Sequence, residues 1–226
     1  MGSKATPVDR FSFERTLLAK GIWPVAGVDE AGRGPLAGPV LAAAVILPDV
    51  FVRDGMPPDL TGLNDSKQLS AEQREAFFLR LTTDPAIRFG LGRIDPPQID
   101  AINILQATHA AMNLALAALS QSPQPPAHVL VDGLHVRSIR MSQTAIVKGD
   151  SLSYSIAAAS ILAKVTRDRL MQEFDAQFPG YGFARHKGYG TSEHLGAIRC
   201  LGPCPIHRRS FSPFRPVELE LFPPPL

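Results

Sequence analysis

The segment Val25-Ala-Gly-Val-Asp29-Glu30-Ala-Gly32-Arg33-Gly34 constrains the fold most, because an apolar run of strand length ends on two adjacent carboxylates and passes into a glycine-spaced arginine. A strand sends neighbouring side chains to opposite faces, so Asp29 and Glu30 can serve one site only if the chain turns at Glu30. Gly32 and Gly34 permit such a turn. They also leave backbone N–H groups uncovered, so a phosphodiester can approach the main chain while Arg33 reaches for an oxygen. Gly32-Arg-Gly34-Pro-Leu-Ala37 fits the G-x-G-x-x-A pattern of dinucleotide-binding turns as well. That turn opens a helix, however, whereas Val40–Leu47 is an apolar run of strand length closed by Pro48. Asp29 and Glu30 would also repel a pyrophosphate unless a cation intervened. The pattern favours metal chemistry beside a phosphate grip.

Further along, residues 11–20 read as a short amphipathic helix ended by Gly21, and 25–29 and 40–47 as the first two strands. A Pro/Gly-rich excursion from Pro48 to Gly62 leads to Leu63-Asn-Asp-Ser-Lys67, after which Ser70 and Gln73 form a capping box for a helix to about Leu81. Ile87–Ile94 reads as a third strand. Pro96-Pro97 opens a single long helix to about Ser120, with Ile99, Ile102, Leu105, Thr108/His109, Met112 and Leu116 at helical spacing and His109 lining the core. His128–Asp132 and Thr144–Val147 read as the fourth and fifth strands, and an alanine-rich helix follows from Ser155 to about Phe178, stopped by Pro179-Gly180. The ending Phe222–Leu226 reads as a frayed tail.

Three separate strands thus end on carboxylates: Asp29-Glu30, Asp132 before Gly133, and Asp150 after Lys148-Gly149. Converging on one sheet edge, they would accumulate negative charge that needs cations. Oxygen-only ligands select Mg²⁺ or Mn²⁺, and two such ions bridged by a carboxylate suit in-line phosphoryl displacement. Asp168 competes with Asp150 as fourth member. It lies four residues after Lys164 within a helix, where an ion pair explains it, so Asp150 is preferred.

The net charge of +2 says little about partners, but its distribution says more. From Arg185 to Arg215 there are six Arg or Lys against the single acid Glu193, with three histidines among them, which suggests a polyanion-facing C-terminal third. There Tyr189, between Gly188 and Gly190, is placed to stack on a sugar more readily than Tyr181, while His186, His207, Arg208 and Arg209 either bind phosphate or form a solvated surface. Cys200 and Cys204, the only cysteines, have no partners for a zinc site and fit a reducing compartment. The first 24 residues alternate charge and apolarity, unlike a secretory leader, and no 18-residue apolar run could cross a bilayer. The expected location is cytoplasmic.

Together these residues resemble the type II ribonucleases H, the ribonuclease HII family. The motifs are Val-Asp29-Glu30-Ala-Gly-Arg-Gly-Pro, Leu63-Asn-Asp-Ser-Lys67, Val131-Asp132-Gly133, Val147-Lys-Gly-Asp150, Ala158-Ala-Ser160-Ile-Leu-Ala-Lys164-Val-Thr-Arg-Asp168, His186-Lys-Gly-Tyr189 and His207-Arg-Arg-Ser-Phe211. The resemblance implies an α/β fold with a ribonuclease H-like five-stranded mixed sheet flanked by helices, in a catalytic domain over 1–180. A small helical substrate-binding C-terminal segment would follow over 181–226. It implies an endonuclease that cuts the RNA strand of RNA–DNA hybrids and 5′ to single ribonucleotides in duplex DNA, giving 3′-hydroxyl and 5′-phosphate ends in primer removal and ribonucleotide excision. By the same resemblance Asp29, Glu30, Asp132 and Asp150 are the catalytic, metal-binding carboxylates for two Mn²⁺ or Mg²⁺ ions. Gly32, Arg33 and Gly34 contact the backbone around the ribonucleotide's 2′-hydroxyl, and Tyr189 packs on the following sugar. Lys67 and the Arg208–Arg209 pair are expected to contact phosphate, and the protein to act as a monomer. A non-catalytic hybrid-binding module and a nucleotide-dependent enzyme using Gly32 to Ala37 are the alternatives.

Overall fold

The computed structural model describes residues 9–121 and 123–214. Part of the 181–226 segment, including the tail expected at Phe222–Leu226, lies outside the described residues, as does Ser122 at the start of the Pro-rich connector.

The five strands are β1 (Val25–Ala31), β2 (Val40–Ile46), β3 (Arg88–Ile94), β4 (His128–Asp132) and β5 (Gln143–Ile146), in the order β3-β2-β1-β4-β5. β1 and β2 pair antiparallel, as do β2 and β3; β4 runs parallel to β1 and β5 parallel to β4. The expected mixed sheet is therefore present. The helices are α1 (Ser12–Ala19), α2 (Asp49–Asp54), α3 (Ala71–Thr83), α4 (Pro96–Ile102), α5 (Ile104–Ser120), α6 (Tyr154–Gln177), α7 (Phe183–His186) and α8 (Ser192–Leu201).

Alternation along the strands divides the core into two layers. Ala26, Val28, Val40, Ala42, Ala44 and Ile46 pack with Ala111, Met112, Ala115 and Leu116 of α5 on one face. Ala43, Val45 and Leu47 pack with Ala157, Ala158, Ile161 and Leu162 of α6 on the other. Each aliphatic side chain of Val or Leu size so buried contributes about 1.5–3 kcal/mol. The approach of α6 to the sheet is close enough that a Cβ on Gly27 would sit 2.1 Å from the Ser155 carbonyl carbon, which is why the strand carries glycine there. A third cluster, with Met171 of α6, Ala37, Tyr181, Phe183, Cys204 and Ile206, seats the C-terminal helices against the end of α6.

The structure corrects several expectations. The single helix over 96–120 is two helices, because Asn103 takes φ 68° and its side chain caps α5 by accepting from Gln106 N–H. Asparagine tolerates that left-handed conformation, and the apolar spacing runs unbroken across it, so Ile102 and Leu105 end up exposed. His109 does not line the core; it is half-buried beside a shallow cavity with Gln106 and Asn113. The chain does not turn at Glu30 either: β1 stays paired with β2 through Ala31, and the turn comes at Gly32, with φ 95°. The Ser70–Gln73 capping box is present as expected.

Candidate active site

Because β1, β4 and β5 run parallel, their C-terminal ends share one edge of the sheet, and this topology collects the strand-end carboxylates. The β1–β4 pairing stops at Val28 opposite Val131. β4 itself ends at Asp132, so in this register Asp132 follows beside Asp29 while Glu30 and Ala31 project past the strand. Asp29 and Glu30 can thus both act on Asp132 without the turn that the sequence alone demands.

Asp29 is 5% exposed and Asp150 9% exposed. Burial holds the Asp29 carboxyl well above the usual range, reinforced by the charges of Glu30 and Asp132, while a hydrogen bond from Ser160 opposes the rise. Burial also raises Glu30, against the lowering influence of Arg33 and Lys67. Asp150 is raised by burial and then by Asp65 and Asp132. Local hydrogen bonds orient the group: Glu30 N–H donates to Asp29 Oδ1 at 2.7 Å, Gly149 N–H donates to Asp132 Oδ1 at 2.7 Å, and Arg33 Nη1 reaches Glu30 Oε1 at 3.3 Å.

The carboxylates open onto two adjoining cavities. Asp29 and Glu30 line one of about 420 Å³ with Gly32, Arg33, Gly34, Lys67, Lys164 and Tyr189. Asp132 and Asp150 line one of about 340 Å³ with Asp65, Lys67 and Lys148. Exposed Lys67 belongs to both. Among the described residues, no three His, Cys, Asp or Glu side chains close round a single point as a metal cage. The donors nevertheless suit hard divalent cations: they are all oxygen, and three of them carry raised pKa values from burial and mutual repulsion that a cation would relieve. Asp65 went unassigned in the sequence; its only signal was its place two residues before Lys67 in the Leu63–Lys67 motif.

Two of the glycines here differ in what requires them. A Cβ on Gly32 would lie 2.1 Å from Arg167 Nε, and its φ is positive, so the protein itself demands glycine there. At Gly34 the φ is ordinary, and a Cβ would meet only Tyr189 Cε1 at 3.7 Å. Tyr189, 47% exposed, faces that bare backbone. Tyr181 is instead buried, its hydroxyl donating to Gly202 O at 2.7 Å. Asp168 pairs with Lys164 at 2.8 Å and lines a different cavity with Arg74, Arg169 and Lys187, away from the four carboxylates.

Arg208 is not a phosphate contact: it is fully buried and donates to the carbonyls of Gly38 at 3.0 Å, Arg33 at 2.8 Å and Gly32 at 2.5 Å. Arg167, also buried, donates to those of Pro39, Ala37 and Lys187. Two cations thus pin the 32–39 loop through its backbone. His186 and His207 are buried too, whereas Arg209 remains exposed. Of Lys67, Arg208 and Arg209, all expected to contact phosphate, Lys67 and Arg209 are the exposed ones. The loop leads from β1 into β2 with no helix, so the dinucleotide-binding alternative lacks its required context.

Comparison with known proteins agrees with this architecture. The family described as Ribonuclease HII matches residues 26–213. The curated Ribonuclease HII of Geobacter metallireducens is 54% identical over 201 residues, covering 89% of each chain. The ribonuclease H2 of Pyrococcus horikoshii superposes with a TM-score of 0.65 at 28% identity, over 84% of this chain and 95% of that one. Bst-RNase HIII, solved in complex with Mn²⁺, shares the fold with a TM-score of 0.63 at 20% identity, over 89% of this chain and 68% of that one. The sequence match across nearly the whole sheet and the carboxylate-bearing edge places this chain in the ribonuclease HII family.

Proposed function

We propose that this ribonuclease H cuts the RNA strand of RNA–DNA hybrids and the phosphodiester 5′ to a single ribonucleotide in duplex DNA, leaving 3′-hydroxyl and 5′-phosphate ends. The observation that carries the proposal is the gathering of Asp29, Glu30, Asp132 and Asp150 at the ends of three parallel strands, beside an exposed glycine-arginine loop. These four carboxylates would hold two Mg²⁺ or Mn²⁺ ions. When bound, such ions lower the pKa of an attacking water and stabilise the charge on the leaving oxygen. The remaining roles belong to the chain itself. Lys67, between the two cavities, neutralises a phosphate oxygen, and Arg33 holds Glu30 while its exposed guanidinium meets the backbone. Gly34 leaves room for a ribose against its main chain, with the Tyr189 ring packing on the adjoining sugar.

In this reading, residues 1–180 carry the chemistry and 181–226 hold the substrate. The enzyme acts as a cytoplasmic monomer in primer removal and ribonucleotide excision. Among the described residues no helix is long and apolar enough to cross a membrane. The deciding experiment is cleavage of an end-labelled duplex carrying one ribonucleotide, with Mg²⁺, with Mn²⁺ and with EDTA. A cut on the 5′ side that requires metal is expected; binding without cleavage under every condition would leave a hybrid-binding module instead.

A further inference from the structure

The C-terminal segment buries three histidines that the proposed chemistry does not use: His186, His194 and His207. His194 and His207 face each other, with Nε2 to Nε2 at 3.0 Å. The surrounding hydrogen bonds fix where their protons sit. The backbone N–H of Cys204 donates to His207 Nδ1 at 2.9 Å, so in a neutral ring that nitrogen is bare and Nε2 carries the proton. His207 Nε2–H then donates to His194 Nε2, which leaves the proton of His194 on Nδ1. That Nδ1–H donates to the Tyr189 carbonyl at 2.9 Å. The opposite direction would turn a bare His194 Nδ1 onto the Tyr189 carbonyl and, although Cys204 O lies 3.3 Å from His207 Nδ1, would set that Nδ1–H against the closer Cys204 N–H; a second proton would set two N–H groups face to face. Burial keeps both rings neutral, with His207 pushed down to about 4.

The other end of this relay is tied to the glycine-arginine loop. His207 bridges Ala37 through the backbone, Gly38 N–H donates to Ile206 O at 2.9 Å, and Arg208 N–H donates to Leu36 O at 2.8 Å. Leu36 N–H in turn donates to Gly188 O at 2.8 Å, beside Tyr189. The loop and the tyrosine are therefore joined through one closed set of contacts in which His207 and His194 form the side-chain half.

We propose that His207 and His194 are positioning residues that act through the Tyr189 main chain to set the gap between the Tyr189 ring and the bare Gly34 backbone, and with it the preference for a ribonucleotide. This rests on the reading that a sugar occupies that gap. The test is a double-mutant cycle on the single-ribonucleotide duplex, with kcat and KM measured separately. His194→Phe keeps a ring and loses the donor; a fall in kcat/KM of roughly tenfold is expected, since misplacement of a positioning group by an ångström costs up to about a hundredfold. His194→Asn should restore activity to within about threefold, because its amide nitrogen lies where Nδ1 donated. In a Tyr189→Ala background His194→Phe should change nothing further. The same loss in both backgrounds would overturn the proposal. Nitrogen-15 spectra of the wild-type imidazoles, which need no variant, should show His194 protonated at Nδ1 and His207 at Nε2 at pH 7; the reverse tautomers would also overturn it. Failure of wild type to cut this duplex with either metal would sink the reading of the site, and the gap's role with it. Cleavage with an additive cycle would sink the positioning role alone.

Discussion

Replacing Arg208 by Met tests whether the glycine-arginine loop is held from inside. Methionine keeps much of the bulk and removes all three donors. Two of the carbonyls released, those of Gly32 and Gly38, belong to buried residues, while that of Arg33 lies on an exposed residue and can rehydrate. Each orphaned buried carbonyl costs about 1–3 kcal/mol. Against this stands relief of a buried cation and of its repulsion by Arg167, which together with desolvation lowers the Arg208 pKa to about 9. A net loss of about 3 kcal/mol follows, which for a chain of this size lowers Tm by roughly 6–12 °C. Arg208→Lys should resemble the Met variant more than the wild type, because one ammonium cannot span three carbonyls that a planar fork reaches at once. Calorimetry with and without Mg²⁺, and cleavage assayed at least 20 °C (about twice the expected shift) below each variant's Tm, provide the check. A Tm within about 2 °C of wild type together with unchanged cleavage would show that the loop is set by its own backbone and not by the buried guanidinium.

Three further outcomes are expected. Asp29→Asn should raise the Tm of the metal-free protein at pH 7, since it removes a buried charge repelled by Glu30 and Asp132, while lowering kcat in Mg²⁺ at least about a hundredfold, or 2.7 kcal/mol; thermal melts paired with single-turnover cleavage would expose a failure of either half. Asp150→Asn should harm cleavage far more than Asp168→Asn, and equal losses at unchanged Tm would reverse that assignment. Because His207 titrates near 4 when folded and near 6.5 when unfolded, the unfolded state binds more protons between these values, so wild type should lose stability as pH falls from about 6.5 to 4, by up to 1.4 kcal/mol per unit. Above about pH 6.5 this contribution is constant. Urea titrations of wild type against His207→Gln cancel the opposing carboxylate effects, and parallel pH profiles for the two would refute the linkage.

How much of this was legible in the sequence depended on whether a residue's role is set by its neighbours in the chain. The apolar runs of β1, β2 and β4 and the carboxylates at their ends are local features, and they were readable. So was the Lys164–Asp168 pair, four residues apart on one helix. The fate of Arg208 was not, because the carbonyls it meets lie 170–176 residues away and the sequence shows only a basic run that resembles a solvated face. The histidines misled for the same reason. Asn103 hid a helix break because its side chain replaces the hydrogen bond that the break removes, leaving the apolar spacing intact.

The distribution of charge connects these observations. Arg167 and Arg208 lie fully buried, Arg167 beside the cavity that Asp29 and Glu30 line, yet both turn their donors to backbone carbonyls of the 32–39 loop and the neighbouring 187 position. Had either faced Asp29, the carboxylate pKa would be depressed and the site neutralised from within. Instead Asp29, Glu30 and Asp150 are raised, opposed by Arg33 and Lys67 at Glu30 and by Lys67 at Asp150. The fold therefore uses its interior arginines to shape the loop and, among the described residues, leaves Asp29, Asp132 and Asp150 without an ion pair although lysines line the same cavities. It follows that added Mg²⁺ should stabilise the folded protein by differential binding, and that this gain should shrink in Asp29→Asn and persist in Arg208→Met. Equal Mg²⁺ stabilisation of wild type and Asp29→Asn would mean that the unpaired carboxylates at the sheet edge are not what the cation meets.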